Sequence, residues 1–227
     1  MVRQSRPFVL LTRPQAQSER FVGDLRDCGA TCVIAPVMQI ERINAVYPPH
    51  DGDFVLTSEN ALRTLPDIFN KPGRRAFCVG RQTARAAQRM GFDAISADGN
   101  AEDLRELLTK VKNNNNLLHL SGEHQVSAVL EDIPNLRRIV TYRQTEMPPD
   151  TGAQTLLGGE ARVIVPLFSP RSARLFFKIY PNIAAPLHIV AISKATANAV
   201  QHGAATKIDI AAQPNGDNMK KLVAELI

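Results

Sequence analysis

Tryptophan is absent from this sequence and aromatic residues make up only 5% of it, so its interior must be aliphatic, built from Val, Ile, Leu and Ala. Long apolar runs are missing as well. No stretch approaches the roughly 18 consecutive apolar residues that a membrane-spanning helix needs. The run Phe8–Leu11, behind the polar and basic segment Met1–Pro7, is too short for a signal sequence. The expectation is a cytoplasmic protein with no membrane partner. Cysteine is sparse: Cys28, Cys32 and Cys78 form no CxxC pair and are odd in number, which argues for a reduced compartment and against a disulfide framework. His50, His119, His124, His188 and His202 show neither HExxH nor mixed Cys/His spacing, so they read as surface or strand residues and not as metal ligands. GxGxxG, GxxxxGK[ST] and GxSxG are also absent. Dinucleotide, P-loop and serine-hydrolase chemistry are thereby disfavoured. The carboxylates show no pairing suited to hydrolysis. An enzyme built from this chain would work without cofactor, metal or covalent nucleophile.

What is present is an ordinary globular composition. The 227 residues are 44% hydrophobic and 22% charged, enough for one large core or two smaller ones. Lys plus Arg number 27 against 22 for Asp plus Glu, a net charge of +5. That balance suits an acidic ligand through field steering, and equally suits solvated helix faces. No dense basic tract interleaved with aromatics occurs, so nucleic acid is not an expected partner.

Short apolar runs recur along the chain, each followed by a helical pattern. Phe8–Thr12 precedes Pro14, placed as a first helical residue, and Ala16–Cys28, which Gly29 stops. Phe54–Thr57 is followed by Glu59–Phe69, Ala76–Val79 by Gln82–Met90, and Leu117–Leu120 by Glu123–Asp132. Val163–Leu167 then leads into Ser172–Tyr180, His188–Ile192 into Ala195–His202, and Ile208–Ala211 into Asn218–Ile227. Continuously apolar strands alternating with helices predict the α/β class, with parallel sheets covered on both faces. Asn113–Asn116 reads as a polar loop.

An internal repeat organises the string. Val55–Leu62 resembles Pro166–Ala173, Phe77–Ala84 resembles Val190–Ala197, and Asn100–Leu104 resembles Asn215–Met219. Ser58 and Thr83 stand 25 residues apart, Ser169 and Thr196 27 apart. Two similar α/β domains follow. Each needs one more βα unit, and the two spare ones are Phe8–Cys28 and Leu117–Asp132. The expected division is a discontinuous domain of residues 1–37 plus 147–227, a second domain of residues 44–137, and a connecting β-ribbon of residues 38–43 and 138–146. The ribbon is read from alternating apolar and polar residues in Pro36–Ile43 and Arg138–Thr145, with Pro48-Pro49 and Pro148-Pro149 as punctuation after them.

In open parallel sheets ligands sit beyond the carboxyl ends of the strands, where helix N-termini point. Those ends carry Thr12-Arg13, Thr57-Ser58, Gly80-Arg81, Ser121-Gly122, Ser169, Ser193-Lys194 and Asn215-Gly216. Each is a seat for a carboxylate or phosphate, or simply a helix cap. Their number, with basic residues beside them, favours a polyanionic small molecule.

Several of these segments together resemble the uroporphyrinogen-III synthase family along nearly the whole chain. They are Leu10-Leu-Thr-Arg-Pro14, Thr57-Ser-Glu-Asn-Ala61, Val79-Gly-Arg-Gln-Thr-Ala84, Arg138-Ile-Val-Thr-Tyr-Arg143 and Phe168-Ser-Pro-Arg-Ser-Ala173. The resemblance implies two flavodoxin-like domains joined by a two-stranded ladder, with the active site in the cleft between them. It implies hydroxymethylbilane, a linear tetrapyrrole bearing eight carboxylates, as substrate. The terminal hydroxyl leaves ring A as water, ring D attacks through its substituted carbon to form a spiro intermediate, and rearrangement inverts that ring as the macrocycle closes. No cofactor is implied. A monomer is, with room for transient contact with the preceding enzyme that makes the substrate.

On this resemblance Tyr142 is the side chain nearest the chemistry, a hinge phenol that hydrogen-bonds or protonates the departing hydroxyl. The alternative is a ribbon tyrosine packing its ring on a domain edge. Ser58, Asn60, Thr83, Gly122, Ser169, Ser193 and Thr196 are the expected substrate-binding residues, through hydroxyls and neighbouring amides. Arg13 pairs with a propionate or with an acidic neighbour. Departures from the family are Ser193-Lys194-Ala195 in place of a frequent Gly-Pro-Thr, Ser121 in place of a common arginine, and Glu59 in place of a frequent proline. A different class of reading is a two-domain module that binds or senses an anionic metabolite without transforming it.

Overall fold

The computed structural model describes residues 6–66, 69, 73–111, 116–124, 128–201, 203 and 205–227. Apolar runs long enough to bury both faces become strands, and the polar-capped segments after them become helices. The first elements are β1 (Phe8–Leu11), α1 (Gln15–Asp24), β2 (Thr31–Ile34), β3 (Met38–Arg42), β4 (Asp53–Leu56) and α2 (Glu59–Leu62). Then come β5 (Arg75–Cys78), α3 (Arg81–Arg89), β6 (Asp93–Ser96), α4 (Ala101–Lys110), β7 (Leu117–Gly122) and β8 (Leu136–Glu146). The chain ends with α5 (Thr151–Leu157), β9 (Val163–Leu167), α6 (Pro170–Ile179), β10 (Leu187–Ala191), α7 (Lys194–Ala197), β11 (Lys207–Ile210) and α8 (Gly216–Ala224).

Two compact units result, one of Met1–Gln39 with Thr145–Ile227, the other of Ile40–Gln144. The first holds a five-stranded sheet in the order β11-β10-β9-β1-β2, and the second a six-stranded sheet in the order β3-β8-β7-β4-β5-β6. In the first sheet β1 enters beside β9, with Phe8 opposite Val163 and Val9 opposite Ile164, and pairs with β2 on its other side. Counted along the chain, that is the flavodoxin-like order, with its switch point between β1 and β9. The second sheet has the same neighbours with β7 in the place of β1 and β4 in the place of β9. The repeated segments therefore fall on equivalent elements: Val55–Leu62 on β4 and α2, Pro166–Ala173 on β9 and α6. At the rim of the second sheet β3 lies beside β8. Ile43 N–H bonds Thr141 O at 2.9 Å and Met147 N–H bonds Val37 O at 3.1 Å, which makes this one pair antiparallel.

Both faces of each sheet are dry. In the first unit Leu10, Val165, Phe176 and Ile189 fill one side, and Val9, Phe21, Ile164 and Met219 the other. In the second, Phe54, Leu56, Ala87 and Leu120 face one way and Val55, Phe77, Leu104 and Leu117 the other. Double-sided burial is what the unbroken Val/Ile/Leu runs require.

Local differences from the sequence expectation have local causes. Two short strands, β2 and β6, were not anticipated. Each is a half-buried edge strand of four residues whose polar ends hide the apolar pattern. Helix α2 ends at Leu62, ahead of Pro66, instead of running to Phe69; residues 67, 68 and 70 lie outside the described residues. The helix expected over Glu123–Asp132 is replaced, in its described part, by bends and turns. Leu130 and Ile133, three apart, reach the core through turns closed by Glu131 N–H to Ala128 O at 2.9 Å and Ile133 N–H to Leu130 O at 3.3 Å, so helical spacing is satisfied without a helix. Helix α7 gives way after Ala197 to turns reaching Val200, and His202 lies outside the described residues, as do Asn113–Asn115 of the polar loop.

Strand β7, inside the second sheet, buries a histidine. His119 of β7 is 4% exposed, and its Nε2 lies 3.1 Å from Thr57 Oγ1. Burial first, and repulsion by Arg138 second, push its pKa from 6.5 down to about 4. The folded chain therefore keeps His119 neutral while the unfolded chain protonates it. Stability should fall as the pH drops below about 6.5, by on the order of 3 kcal/mol once pH 4 is reached. Urea unfolding of the second unit at pH 7 and pH 5, compared with His119→Gln, checks this. An acid-induced loss of the same size in the variant would rule His119 out as its source.

Candidate active site

The carboxyl end of the second sheet is shaped by a break in register. Between β7 and β8 the pairing runs regularly from Leu117 opposite Leu136 to Ser121 opposite Val140, but Gly122 then faces Tyr142, so Thr141 is an extra residue. Strand side chains alternate, and one inserted residue exchanges the faces beyond it. Ile139 and Tyr142 thus pack into the same core cluster, although their spacing in an unbroken strand would send them to opposite sides. The phenol ring of Tyr142 lies against Gly122 so closely that an added Cβ there would stand 2.7 Å from Cε2 and 3.0 Å from the hydroxyl. Only a residue without a side chain fits at position 122.

Tyr142 is 5% exposed. Burial raises its pKa, opposed by hydrogen bonds to the side chains of Ser58 and Asn60 and to the backbone of Gly122. A phenol is protonated at neutral pH in any case, and with burial raising its pKa Tyr142 keeps an O–H to donate. Ser58 is also the N-cap of α2, its Oγ accepting from Asn60 N–H at 3.2 Å. Ser58, Asn60, Gly122 and Tyr142, four of the residues singled out in the sequence, therefore form one hydrogen-bonded group. It lies at the switch point of this sheet, between the ends of β4 and β7. Thr83 stands outside that group. It is buried on the first turn of α3, whose N-cap Gly80 supplies no capping side chain.

Two residues that the sequence reading passed over lie beneath the group. His119 reaches Thr57 from β7. Arg138 on β8 donates from Nε to Ser121 Oγ at 2.8 Å and from Nη2 to Gly122 O at 2.9 Å and Glu123 O at 3.4 Å. The signal for His119 was present as a lone polar residue in the run Leu117-Leu-His-Leu120. Arg138 carried none, since an arginine on an alternating strand reads as its wet face.

In the first unit Arg13 follows β1, and its guanidinium stacks over the Phe168 ring at 4.1 Å, beside Ser169 at the end of β9. This too is the switch point of its sheet. Stacking on an aromatic face holds a guanidinium in a fixed orientation. Ser169 caps α6 in a reciprocal box with Ser172, accepting from Ser172 N–H at 3.0 Å. Ser193 caps α7, and its Oγ is 3.1 Å from the hydroxyl of Thr196, which is fully buried. Ser169 and Ser193 thus spend hydroxyl capacity on their own helices, and what they leave to a ligand is mainly the backbone N–H groups they orient. Among the described residues no group of His, Cys, Asp and Glu is arranged to hold a metal ion, and no helix is long and apolar enough to cross a membrane.

Comparison with known proteins gives a consistent answer. The family model of uroporphyrinogen-III synthase HemD matches residues 19–221. Among solved structures, uroporphyrinogen-III synthetase from Helicobacter pylori is similar at 17% identity with a TM-score of 0.67, over 98% of this chain and 100% of that one. A mutant uroporphyrinogen-III synthase from Thermus thermophilus is similar at 14% identity with a TM-score of 0.50, over 96% of each chain. A search of curated protein sequences gives no significant match. At such identities the structures establish the shared α/β fold, and the match over residues 19–221 establishes kinship: the chain belongs to the uroporphyrinogen-III synthase HemD family, the cyclising lyases of tetrapyrrole biosynthesis.

Proposed function

We propose that this chain closes hydroxymethylbilane to uroporphyrinogen III with Tyr142 as the proton donor, and that polar strand-end residues seat the substrate's carboxylates. The observation that carries the reading is the buried phenol of Tyr142, tied to Ser58, Asn60 and Gly122, with its pKa raised by burial. Its O–H donates to the terminal hydroxyl of ring A, which departs as water and leaves a cationic azafulvene. Ring D attacks through its substituted carbon, the spiro intermediate rearranges, and the proton lost when the last pyrrole regains aromaticity returns to the phenolate. Water is the only by-product. Arg13 supplies a fixed positive charge, and the strand-end residues Ser58, Thr83, Ser169, Ser193 and Thr196 supply mainly the backbone amides beside them for propionate and acetate groups. In this reading the chain works as a cytoplasmic monomer that takes its substrate from the preceding enzyme through transient contact.

Folding a linear tetrapyrrole so that its ends meet is a proximity effect, worth up to about 7–11 kcal/mol of the barrier. Because the uncatalysed closure gives the non-inverted ring, the enzyme must also choose between two closures. A module that only binds the anion would leave that choice unchanged. Supplying hydroxymethylbilane and separating the oxidised products by chromatography distinguishes the two: type III isomer above the type I background is expected, and type I alone rejects the enzymatic reading for this chain.

Tyr142→Phe should reduce turnover by on the order of a hundredfold while leaving the melting temperature within a few degrees, the size expected for loss of a positioned proton donor. A rate equal to that of the unaltered chain would remove Tyr142 from the chemistry. Gly122→Ala should displace the ring and cost about 1–3 kcal/mol of stability, as overpacking does, together with most of the activity. Denaturant unfolding and the product assay measure the two effects, and an alanine variant of full activity would show that the ring contact is dispensable.

A further inference from the structure

The extra residue in β8 exposes the chain to an obvious alternative. Were the pairing regular throughout, Tyr142 would fall on the face of Arg138 and Val140, turned away from Ile139 and the core cluster they share. Something must make the irregular pairing preferable to the regular one. Two weak contacts help: Ser121 Oγ donates to Ile139 O at 3.5 Å, and Thr141 Oγ1 donates to Ser121 O at 3.4 Å. Both are at the long limit of a hydrogen bond. The two short contacts come from Arg138, which stands ahead of the break on one strand and reaches across to Ser121 and Gly122 beside it on the other, with a longer third bond to Glu123.

We propose that Arg138 is a positioning residue for the cyclisation, its guanidinium clamping the β7 carbonyls so that the bulge persists and Tyr142 is aimed at Ser58, Asn60 and Gly122. The inference rests on the role of Tyr142 proposed above. A planar, forked donor set is what the task needs. The guanidinium presents several N–H groups in fixed directions and can hold a side-chain oxygen and two carbonyls together, whereas a lysine ammonium offers a single point of charge. The carbonyls are not removable by mutation, so the arginine is the part of the clamp that sequence can vary. Glu123 N–H to Tyr142 O at 2.9 Å closes the far side of the bulge, so the clamp and the tyrosine belong to one short circuit of hydrogen bonds.

The test compares Arg138→Met, which keeps the aliphatic stem, and Arg138→Lys with the unaltered chain, each alone and combined with Tyr142→Phe. Both single variants should lower kcat by about tenfold to a hundredfold, as a small misplacement of a reacting group does, with KM within about twofold of the original. In the Tyr142→Phe background the further loss should be less than about threefold, because the clamp then has nothing to aim. A spectroscopic readout accompanies the kinetics. Tyr142 should titrate closer to its ordinary value in Arg138→Met, seen as an ultraviolet difference signal that vanishes when Tyr142 is replaced. If Tyr142→Phe is itself fully active, the donor role of Tyr142 fails, and with it the reading on which this inference rests. If Tyr142→Phe is slow while Arg138→Met keeps its full rate, lowers the rate equally in both backgrounds, or leaves the Tyr142 titration unmoved, the positioning role of Arg138 is overturned.

Discussion

Tyr142 occupies space that any side chain at position 122 would fill, and the second unit is arranged around that exclusion. A glycine ends β7 where the ring must pass, an inserted residue in β8 turns the ring onto that glycine, and an arginine bonds the carbonyls that the irregular pairing leaves open. Each of these features is costly alone. A glycine loosens a strand, a bulge interrupts a ladder, and a buried phenol must find partners for its hydroxyl. Together they satisfy one another, and the outcome is a protonated donor at the carboxyl end of a parallel sheet.

The two sheets repeat one strand order but use it differently. In the first unit the switch point carries a cation stacked on an aromatic ring, and in the second it carries the phenol and its hydrogen-bonded partners. The serines that the repeat places in equivalent positions, Ser58 and Ser169, do equivalent local work as N-caps of α2 and α6. Their partners differ. Ser169 closes a box with Ser172, while Ser58 is hydrogen-bonded to Tyr142. The two equivalent caps thus differ in what each touches beyond its own helix, and the helices differ in length, four residues in α2 against ten in α6.

The architecture was legible because it rests on patterns that burial enforces. The apolar runs beginning at Phe8, Phe54, Ala76, Leu117, Val163, His188 and Ile208 are all strands, and the repeated segments lie on matching elements of the two sheets. Edge strands such as β2 and β6 escaped because half of their surface is wet, and the segment after Gly122 escaped because a turn and a helix place residues three apart on the same side. The site was legible in part. Ser58, Asn60, Gly122 and Tyr142 stand out as small polar or family-like residues, and they do meet. His119 and Arg138 were missed because their importance lies in what they bond: a buried hydroxyl partner for one, a broken register for the other. Register breaks leave no mark in a pattern of period two.

The interrupted course of the chain through its first sheet has a consequence for biosynthesis. Strand β1 leaves the ribosome before the second unit, yet β9, its neighbour in the sheet, follows only after that entire unit has been made. At ordinary translation speeds that interval is on the order of 10–30 s. During it Val9, Leu10 and Leu11, which end with almost no solvent exposure, have only α1 and β2 to shelter against. The contiguous segment Ile40–Gln144 can complete its own sheet in the meantime. The newborn protein is therefore a finished unit joined to a half-made one, whose apolar strand waits for its second neighbour.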